Sequence, residues 1–239
     1  PGPLSVYGDD VVQGLVPCWA GRGEATGTNG RATAFLKQDL AALGEKGLRR
    51  NLWPLDTAPG PWVTMDGKRV LLLCSNDYLD LASHPSVKAA AQAAIETWGC
   101  GAGSARLIAG SLEPHRTLEE RLARFLGTEA ALLFGSGYMA NLGAISALAG
   151  PGDAIFSDQI NHASIVDGCR LSGARIHVYP HRDVAALEAM LSRAEAFRRR
   201  LIVTEGLFSM EGDLAPLHEL ARLAVRYEAL FMVDDAHGI

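Results

Sequence analysis

Apolar and polar positions fall into regular blocks along most of the chain, and these blocks predict alternating strands and helices. From residue 131 onward, short apolar runs typical of buried strands alternate with longer stretches whose apolar residues recur at helical spacing. The predicted strands are 131–134, 154–157, 175–179, 201–205 and 230–234, and the predicted helices between them are 138–148, 162–172, 184–196 and 216–227. Because right-handed βα crossovers set successive strands parallel, we predict an α/β fold: a mostly parallel sheet with helices on both faces.

The part of the chain before residue 85 has a different pattern. Residues 1–32 are rich in glycine and proline without any period, which predicts a loose N-terminal arm. Residues 33–84 are expected to form a helix and hairpin segment, with the helix at 33–46 and the hairpin around the Asp66-Gly67 turn. We therefore divide the chain into three parts: 1–32, 33–84 and a large domain from 85 to 239.

Two further helices are predicted at the start of the large domain. Helix 85–98 has proline at its first position and is followed by a glycine-rich loop, 99–103. The next helix is placed at 116–126, because Thr117 and Glu120 have capping-box spacing.

Composition narrows the classes of function. The net charge is −5, and the only dense basic run, Arg198 to Arg200, fits a solvated turn, so we expect no nucleic-acid partner. The four cysteines form no metal-like spacing with histidine, so we expect reduced thiols, no metal and a cytoplasmic protein. The first lysine or arginine is Arg22, so no cationic region precedes an apolar stretch, and we expect no signal peptide. The uncharged run 130–152 is long enough to cross a bilayer, but its glycines, its proline and Asn141 favour a buried strand–turn–helix unit.

The candidate chemistry lies where the predicted strands end. The run 230–233 is followed by Asp234 and, three positions later, by His237. Ligands of parallel sheets bind beyond the carboxyl ends of the strands, and a buried carboxylate is costly without a partner. Asp234 and His237 are therefore candidate site residues, although an aspartate capping a turn beside a hydrogen-bonded histidine would give the same pattern.

Three other strand ends carry polar or turn residues. Strand 131–134 is followed by Gly135, Ser136, Gly137 and Tyr138 at the start of a helix, where free N–H groups suit a phosphate, although a simple tight turn also explains the glycines. His162 begins a helix and could present its ring to a ligand or simply lie at the surface. Ser209 lies in the polar loop after strand 201–205, which an ordinary strand-to-helix connection would also explain.

These four strand ends together suit pyridoxal phosphate, which needs a carboxylate at its pyridine nitrogen, a helix N-terminus at its phosphate and a flat group on its ring. A dinucleotide is disfavoured. The Gly101-Ala102-Gly103 segment has Arg106 at the third glycine position of the fingerprint, and a helix precedes it.

The chain also resembles a known family. Five motifs in order closely resemble the α-oxoamine synthases, fold-type I pyridoxal phosphate enzymes, over about residues 33–239; they are Asn76-Asp77-Tyr78-Leu79, Gly135 to Asn141, Asn161 to Ser164, Thr204 to Asp213 and Asp234 to Gly238. Members condense a small amino acid with an acyl-CoA or other acyl thioester and release carbon dioxide. The motif combination most resembles a branch that joins L-alanine to a pimeloyl thioester in biotin synthesis. The aminolevulinate, serine palmitoyl and glycine acetyl types remain open, and a homodimer is implied.

The resemblance assigns roles to individual residues. Asp234 would keep the pyridine nitrogen protonated, His237 would hydrogen-bond the phenolic oxygen and His162 would stack on the ring. The phosphate end would be lined by Ser136, Gly137 and Tyr138. Asn76 and Ser209 would lie near the substrate carboxylate or the phenolic oxygen, and Glu205 would support the site from behind.

The sequence departs from the family pattern in three places. Glu211 stands where the family has aspartate, and Asp80 where glycine is usual. The Schiff-base lysine of the family lies downstream of the Asp-x-x-His motif, whereas the four lysines here, Lys37, Lys46, Lys68 and Lys88, all precede the βα run. We therefore expect an N-terminal fragment that is inactive alone. A non-catalytic relative and an unrelated nucleotide-binding protein are the alternatives.

Overall fold

The structure is a computed structural model that describes residues 34–239. The chain divides into two units between Ser75 and Asn76. The predicted arm, residues 1–32, lies outside the described residues, and the predicted boundary between residues 84 and 85 stays a prediction.

The described part of the first unit contains one helix and one hairpin. Helix α1 spans Ala34–Glu45, and strands β1 (Trp62–Met65) and β2 (Lys68–Leu71) pair antiparallel. Asp66 and Gly67 have φ values of +49° and +70°, the conformation that a two-residue hairpin turn requires and that Asp-Gly favours. The predicted helix and hairpin are confirmed.

The second unit is an α/β layer structure. Its elements in chain order are α2 (Pro85–Trp98), a single π-helical turn (Arg106–Gly110), α3 (Glu113–Leu126), α4 (Gly137–Leu148), β3 (Ala154–Asp158), α5 (Ala163–Ser172), β4 (Arg175–Tyr179), α6 (Val184–Leu191), β5 (Arg200–Glu205), α7 (Leu217–Arg226) and β6 (Leu230–Asp234). Strands β3 to β6 form one sheet in the order β4-β3-β5-β6, and every pair in it is parallel. β6 thus lies at one edge of the sheet.

Side chains of the central strands alternate between two cores, because successive residues of a strand point to opposite faces. Phe156 of β3 and Ile202 of β5 pack with α6 and α7, and both are fully buried. Ile155 of β3 and Val203 of β5 pack instead with residues of α4 and α5. Helices therefore cover both faces of a parallel sheet, and the predicted fold class is confirmed.

The predicted strand at 131–134 is wrong. Within the part of the chain that the structure describes, this segment has no regular secondary structure and pairs with no strand. Its backbone is held by side chains: the Leu133 N–H donates to Glu119 Oε1 at 2.8 Å, and the Leu133 carbonyl accepts from Arg106 Nη1 at 3.2 Å. Arg106 and Glu119 also form a two-pronged ion pair at 2.6 and 3.1 Å, and this pairing holds the pKa of Glu119 down at about 2. We call Arg106, Glu119 and Leu133 the side-chain clamp.

Two helix ends differ from prediction. α3 begins at Glu113, with Pro114 in its first turn, so the predicted capping box is wrong: Thr117 lies inside the helix and donates to Glu113 Oε1 at 3.3 Å. The helix start is fastened instead by His115, whose Nδ1 accepts from the Leu112 N–H at 3.0 Å. α6 ends at Leu191 rather than at residue 196. After Leu191 the chain forms turns in which backbone N–H groups donate to carbonyl oxygens three residues earlier.

The basic run at 198–200 is more than a solvated turn. Arg198 donates through Nε and Nη2 to the buried carboxylate of Asp153 at 2.9 and 2.8 Å, and Arg200 opens β5. The uncharged run 130–152 divides into the irregular segment 131–134, α4 and a turn. Over residues 34–239, no helix has both the length and the apolar character needed to cross a membrane.

Candidate active site

A cavity of about 520 Å³ opens at the carboxyl ends of β5 and β6, beside the N-terminal part of α4. Five of the predicted site residues line it, namely Gly137, Tyr138, His162, Asp234 and His237. Asn76, Ser136 and Ser209 are not among its lining residues. Asn141, Ser164 and Glu205 line it as well, and among these three only Glu205 has a role predicted from the sequence.

Asp234 is the last residue of β6, and its carboxylate is held from two directions. Oδ2 accepts from Asn141 Nδ2 at 2.7 Å, and Oδ1 accepts from the Ala236 N–H at 3.1 Å. Asn141 lies on α4 and is 6% exposed, so this contact ties the end of the strand to a helix on the α4/α5 face of the sheet. The partner expected for Asp234 is present.

His162 is the N-cap residue of α5. Its backbone N–H donates to Glu205 Oε1 at 2.6 Å, and its ring Nδ1 accepts from the Ser164 N–H at 3.2 Å, a side-chain cap of the helix start. The ring lines the cavity. The helix-capping hydrogen bond therefore holds the His162 ring in place, and the exposed side of the residue borders the cavity.

Glu205, the last residue of β5, is a buried carboxyl beside Asp234, its partner across the parallel ladder. Burial raises the pKa of Glu205, and the charge of Asp234 adds to this, whereas the hydrogen bond from the His162 N–H opposes it. Asn161 braces the same region, because its Nδ2 donates to the Val203 carbonyl and its Oδ1 accepts from the Glu205 N–H. Asn161 belongs to the motif Asn161 to Ser164, but the sequence predicts no separate role for it.

The turn 135–137 leads into α4 as predicted. Ser136 is the N-cap, and its Oγ accepts from the Met139 N–H at 3.2 Å. Gly137 and Tyr138 follow in the first turn, where N–H groups have no acceptor within the helix. Together with the positive end of the helix dipole, they make a position that favours an anion. The Tyr138 hydroxyl donates to Asp167 Oδ2 at 2.8 Å, which raises the pKa of the tyrosine and joins α4 to α5.

His237 meets residues from an earlier loop. Its Nδ1 lies 2.7 Å from the Tyr78 hydroxyl, which also lies 3.4 Å from Asn76 Oδ1. Asn76 thus reaches the site through Tyr78. Tyr78 lies two positions after the predicted site residue Asn76, and such closeness in sequence is only a weak signal that a hydroxyl belongs to a site. No role was therefore predicted for Tyr78.

Ser209 is exposed in the loop between β5 and α7. This loop is anchored at Asp213, whose Oδ2 accepts from Arg182 at 2.6 Å and lies 3.2 Å from His181 Nε2. Asp158, buried at the end of β3, holds the other ring nitrogen of His181 at 3.0 Å. The anchor lies outside the predicted site and fixes the base of the loop that carries Ser209.

One departure from the family pattern now has an explanation. Asp80 has a φ of +53°, the left-handed conformation in which glycine is the usual residue and aspartate is among the better-tolerated alternatives. Glu211, a second departure, is exposed in its loop.

Comparison with known proteins places the chain in a family. The model of the aminotransferase class I and II family matches residues 68–239, so the chain belongs to that family. Among curated relatives, the 8-amino-7-oxononanoate synthases of Citrifermentans bemidjiense and Geobacter sulfurreducens are each 56% identical to it, over 84% and 86% of this chain and 51% and 53% of their own lengths. The chain therefore spans about half the length of the curated relatives it matches.

Solved structures give the same picture. The serine palmitoyltransferase of Sphingomonas wittichii is 36% identical with a TM-score of 0.80, covering 89% of this chain and 54% of its own. A variant of the S. paucimobilis serine palmitoyltransferase, solved with a bound PLP–myriocin aldimine, is 34% identical with a TM-score of 0.78 and covers 87% of this chain and 53% of its own. The predicted resemblance to the α-oxoamine synthases is confirmed.

Proposed function

We propose that this chain forms the cofactor-binding part of a pyridoxal phosphate-dependent α-oxoamine synthase that joins L-alanine to a pimeloyl thioester, carried by coenzyme A or an acyl carrier protein, in biotin synthesis. The observation that carries the proposal is Asp234, a carboxylate held at a strand end by Asn141 and directed into a cavity of cofactor size. The 56% identity to the two 8-amino-7-oxononanoate synthases supports the choice of branch.

The donors and acceptors around the cavity fit pyridoxal phosphate. When bound, this cofactor supplies an electron sink for a carbanion on the substrate. Asp234 would hold the proton on the pyridine nitrogen, and the N-terminus of α4, with Ser136, Gly137 and Tyr138, would hold the phosphate. His162 would cover one face of the ring.

The remaining residues would orient the phenolic oxygen and the substrate. His237 would donate to the phenolic oxygen, and the Tyr78 hydroxyl on its other nitrogen would fix the ring orientation. Asn76 and Ser209 would lie near the amino-acid carboxylate or the phenolic oxygen. Glu205 would support the site through the His162 backbone, since its carboxylate accepts a hydrogen bond from that N–H.

The test is substrate choice in the protein that contains this chain. With pyridoxal phosphate and a pimeloyl thioester, L-alanine should release carbon dioxide and give an aminoketone, whereas glycine and L-serine should give little product. A second candidate is the serine palmitoyl type, which the TM-score of 0.80 to such a structure favours. Turnover of L-serine with palmitoyl-CoA, in place of alanine with the pimeloyl thioester, would select it. Cofactor binding without any turnover would select the non-catalytic alternative.

We further propose that none of the four lysines of this chain holds the cofactor covalently. Within residues 76–239, the unit that contains the cavity, Lys88 is the only lysine; it lies exposed on α2 and does not line the cavity. Borohydride reduction in the presence of pyridoxal phosphate, followed by peptide mass analysis, should leave all four unlabelled in this chain. Stoichiometric labelling of one lysine that disappears in Asp234→Asn would disprove this.

The complete protein is expected to be a homodimer, a proposal that rests on the family resemblance. Light scattering would measure its mass. A fully active protein with the mass of one subunit would contradict it.

A further inference from the structure

Asn141 connects two site residues that lie on different elements. Its Nδ2 donates to Asp234 Oδ2 at 2.7 Å and to Ser164 Oγ at 2.8 Å, and Ser164 Oγ lies 2.7 Å from His162 Nδ1. A single side-chain amide thus stands between the carboxylate of Asp234 and the ring of His162.

Close packing of two helices makes this connection possible. Gly168, one turn after Ser164 on α5, lies against α4 so tightly that an added Cβ would be 3.0 Å from the Asn141 backbone carbonyl. Asn141 and Ser164 are 6% and 1% exposed, so water does not compete for these hydrogen bonds. The absence of a side chain at position 168 therefore brings the amide and the hydroxyl within bonding distance.

The direction of each hydrogen bond follows from groups that can only donate or only accept. An ionised carboxylate only accepts, so the Asn141 atom facing Asp234 is the NH₂ group, whose second hydrogen goes to Ser164 Oγ. The Ser164 backbone N–H can only donate, and it points to His162 Nδ1 at 3.2 Å. His162 Nδ1 therefore carries a lone pair, the Ser164 hydroxyl donates to it as well, and the ring hydrogen lies on Nε2.

We propose that Asn141 is a positioning residue that fixes the Asp234 carboxylate and, through Ser164, holds His162 as the tautomer with its hydrogen on Nε2. Nδ1 is occupied on the protein side, so Nε2–H is the polar group that the ring offers to the cavity. The effect on cofactor binding rests on the proposed function, whereas the hydrogen-bond directions do not.

The first measurement needs no cofactor. Ring ¹⁵N chemical shifts of His162 in the 239-residue chain should show hydrogen on Nε2 and a hydrogen-bonded lone pair on Nδ1. Ser164→Ala removes one of the two donors to Nδ1, so the Nδ1 signal should move toward that of free imidazole. Ser172→Ala is the matched control: Ser172 is also buried on α5, but its hydroxyl donates to the Cys169 carbonyl, so His162 should not respond.

The second measurement is a titration with pyridoxal phosphate, followed by absorbance. Asn141→Leu keeps a similar volume but removes the donor to a charged acceptor, so the affinity should fall roughly ten- to a hundredfold. Ser164→Ala removes a neutral hydrogen bond and should cost about two- to tenfold, and Ser172→Ala should bind as the wild type does.

The outcomes separate the two proposals. Any of three results would overturn the positioning role. The first is hydrogen on Nδ1 of His162 in the wild type, and the second is a Ser164→Ala variant with unchanged His162 signals. The third is a folded Asn141→Leu variant that binds pyridoxal phosphate as tightly as the wild type. If no variant and no wild-type chain binds pyridoxal phosphate but the nitrogen shifts are as stated, the positioning role stands and the proposed function is in doubt. If Asn141→Leu does not fold, the Ser164→Ala and Ser172→Ala pair still decides the hydrogen-bond direction.

Discussion

The segment 131–134 and strand β6 look alike in sequence but are held in place by different interactions. Both are short apolar runs, and both are followed by predicted cofactor residues, at 136–138 and at 234–237. β6 pairs with β5 along five residue pairs, whereas the backbone of Leu133 in segment 131–134 is bonded by the side-chain clamp. An apolar run therefore does not make a strand without a neighbouring strand, and the two halves of the candidate site differ in how firmly their backbones are held.

The largest expected effect is on the sheet beside β6. Ile202, which pairs with Phe231, is fully buried, so Ile202→Ala should lower the free energy of unfolding by about 2–5 kcal/mol. Leu132 is 69% exposed, and Leu132→Ala in this chain should change it by less than about 0.5 kcal/mol. Urea unfolding followed by circular dichroism measures both. Equal changes in the free energy of unfolding would contradict the difference between the sheet beside β6 and segment 131–134.

The next effect concerns the carboxylate that ends β6. In the complete enzyme, Asp234→Asn would remove the ionic partner that we propose for the pyridine nitrogen, which should cost about 2–4 kcal/mol of transition-state stabilisation, or roughly 30- to 1,000-fold in rate. Steady-state kinetics measures the change, with unfolding curves as the control for stability. A variant with wild-type kcat and kcat/KM would remove Asp234 from the proposed mechanism.

A smaller and more local effect is expected at the side-chain clamp. Glu119→Gln keeps the shape but removes the charge that binds Arg106 and the Leu133 N–H. Exchange protection of the Leu133 amide should fall roughly ten- to a hundredfold, as for a lost hydrogen bond to a charged acceptor, while amides of β5 are unaffected. Glu120→Gln is the control, because Glu120 pairs with Arg116 and both side chains are exposed. Loss of protection in β5 would mean that the two regions unfold together.

The smallest effects are pH dependences of opposite sign. The pKa of Glu119 is lowered from 4.5 to about 2, so its contribution to stability is present above pH 4.5 and is lost as the pH falls toward 2. The pKa of Glu205 is raised by burial, so its contribution is present below pH 4.5 and is lost as the pH rises through the folded-state value. Carboxyl ¹³C titrations would measure both values. Glu205→Gln should be more stable than the wild type at pH 7, with the difference vanishing near pH 4, and a less stable variant at pH 7 would contradict this sign.

The sequence allowed most of the fold to be predicted, because period and length identify the buried strands. Strands 175–179 and 230–234 have the predicted bounds, and the helices after β3 and β5 begin within one residue of prediction. The errors arise where contacts between residues distant in sequence determine the local structure. Segment 131–134 has the composition of a strand but no partner strand among residues 34–239, and the start of α3 depends on His115 and Pro114 rather than on the Thr117–Glu120 spacing.

The candidate site was predictable to the extent that its residues follow strands. Asp234, His237 and His162, which line the cavity, were predicted because each stands near a strand or helix end. Asn141 and Ser164 were missed, because a polar residue on the buried face of a helix has no local signal that shows what it contacts. Their partners are 93 and 23 residues away in the chain. Only the packing of α4 on α5 brings them together.

The position of β6 at the edge of the sheet has a consequence for handling the protein. One side of β6 pairs with β5, and in the part of the chain that the structure describes no strand lies on its other side. The N–H and C=O groups of such an edge are a template for any extended segment that reaches it. In concentrated solution, copies of a chain of residues 34–239 are therefore expected to self-associate edge to edge, and light scattering should rise steeply with concentration. A short peptide that pairs with β6 should suppress that rise.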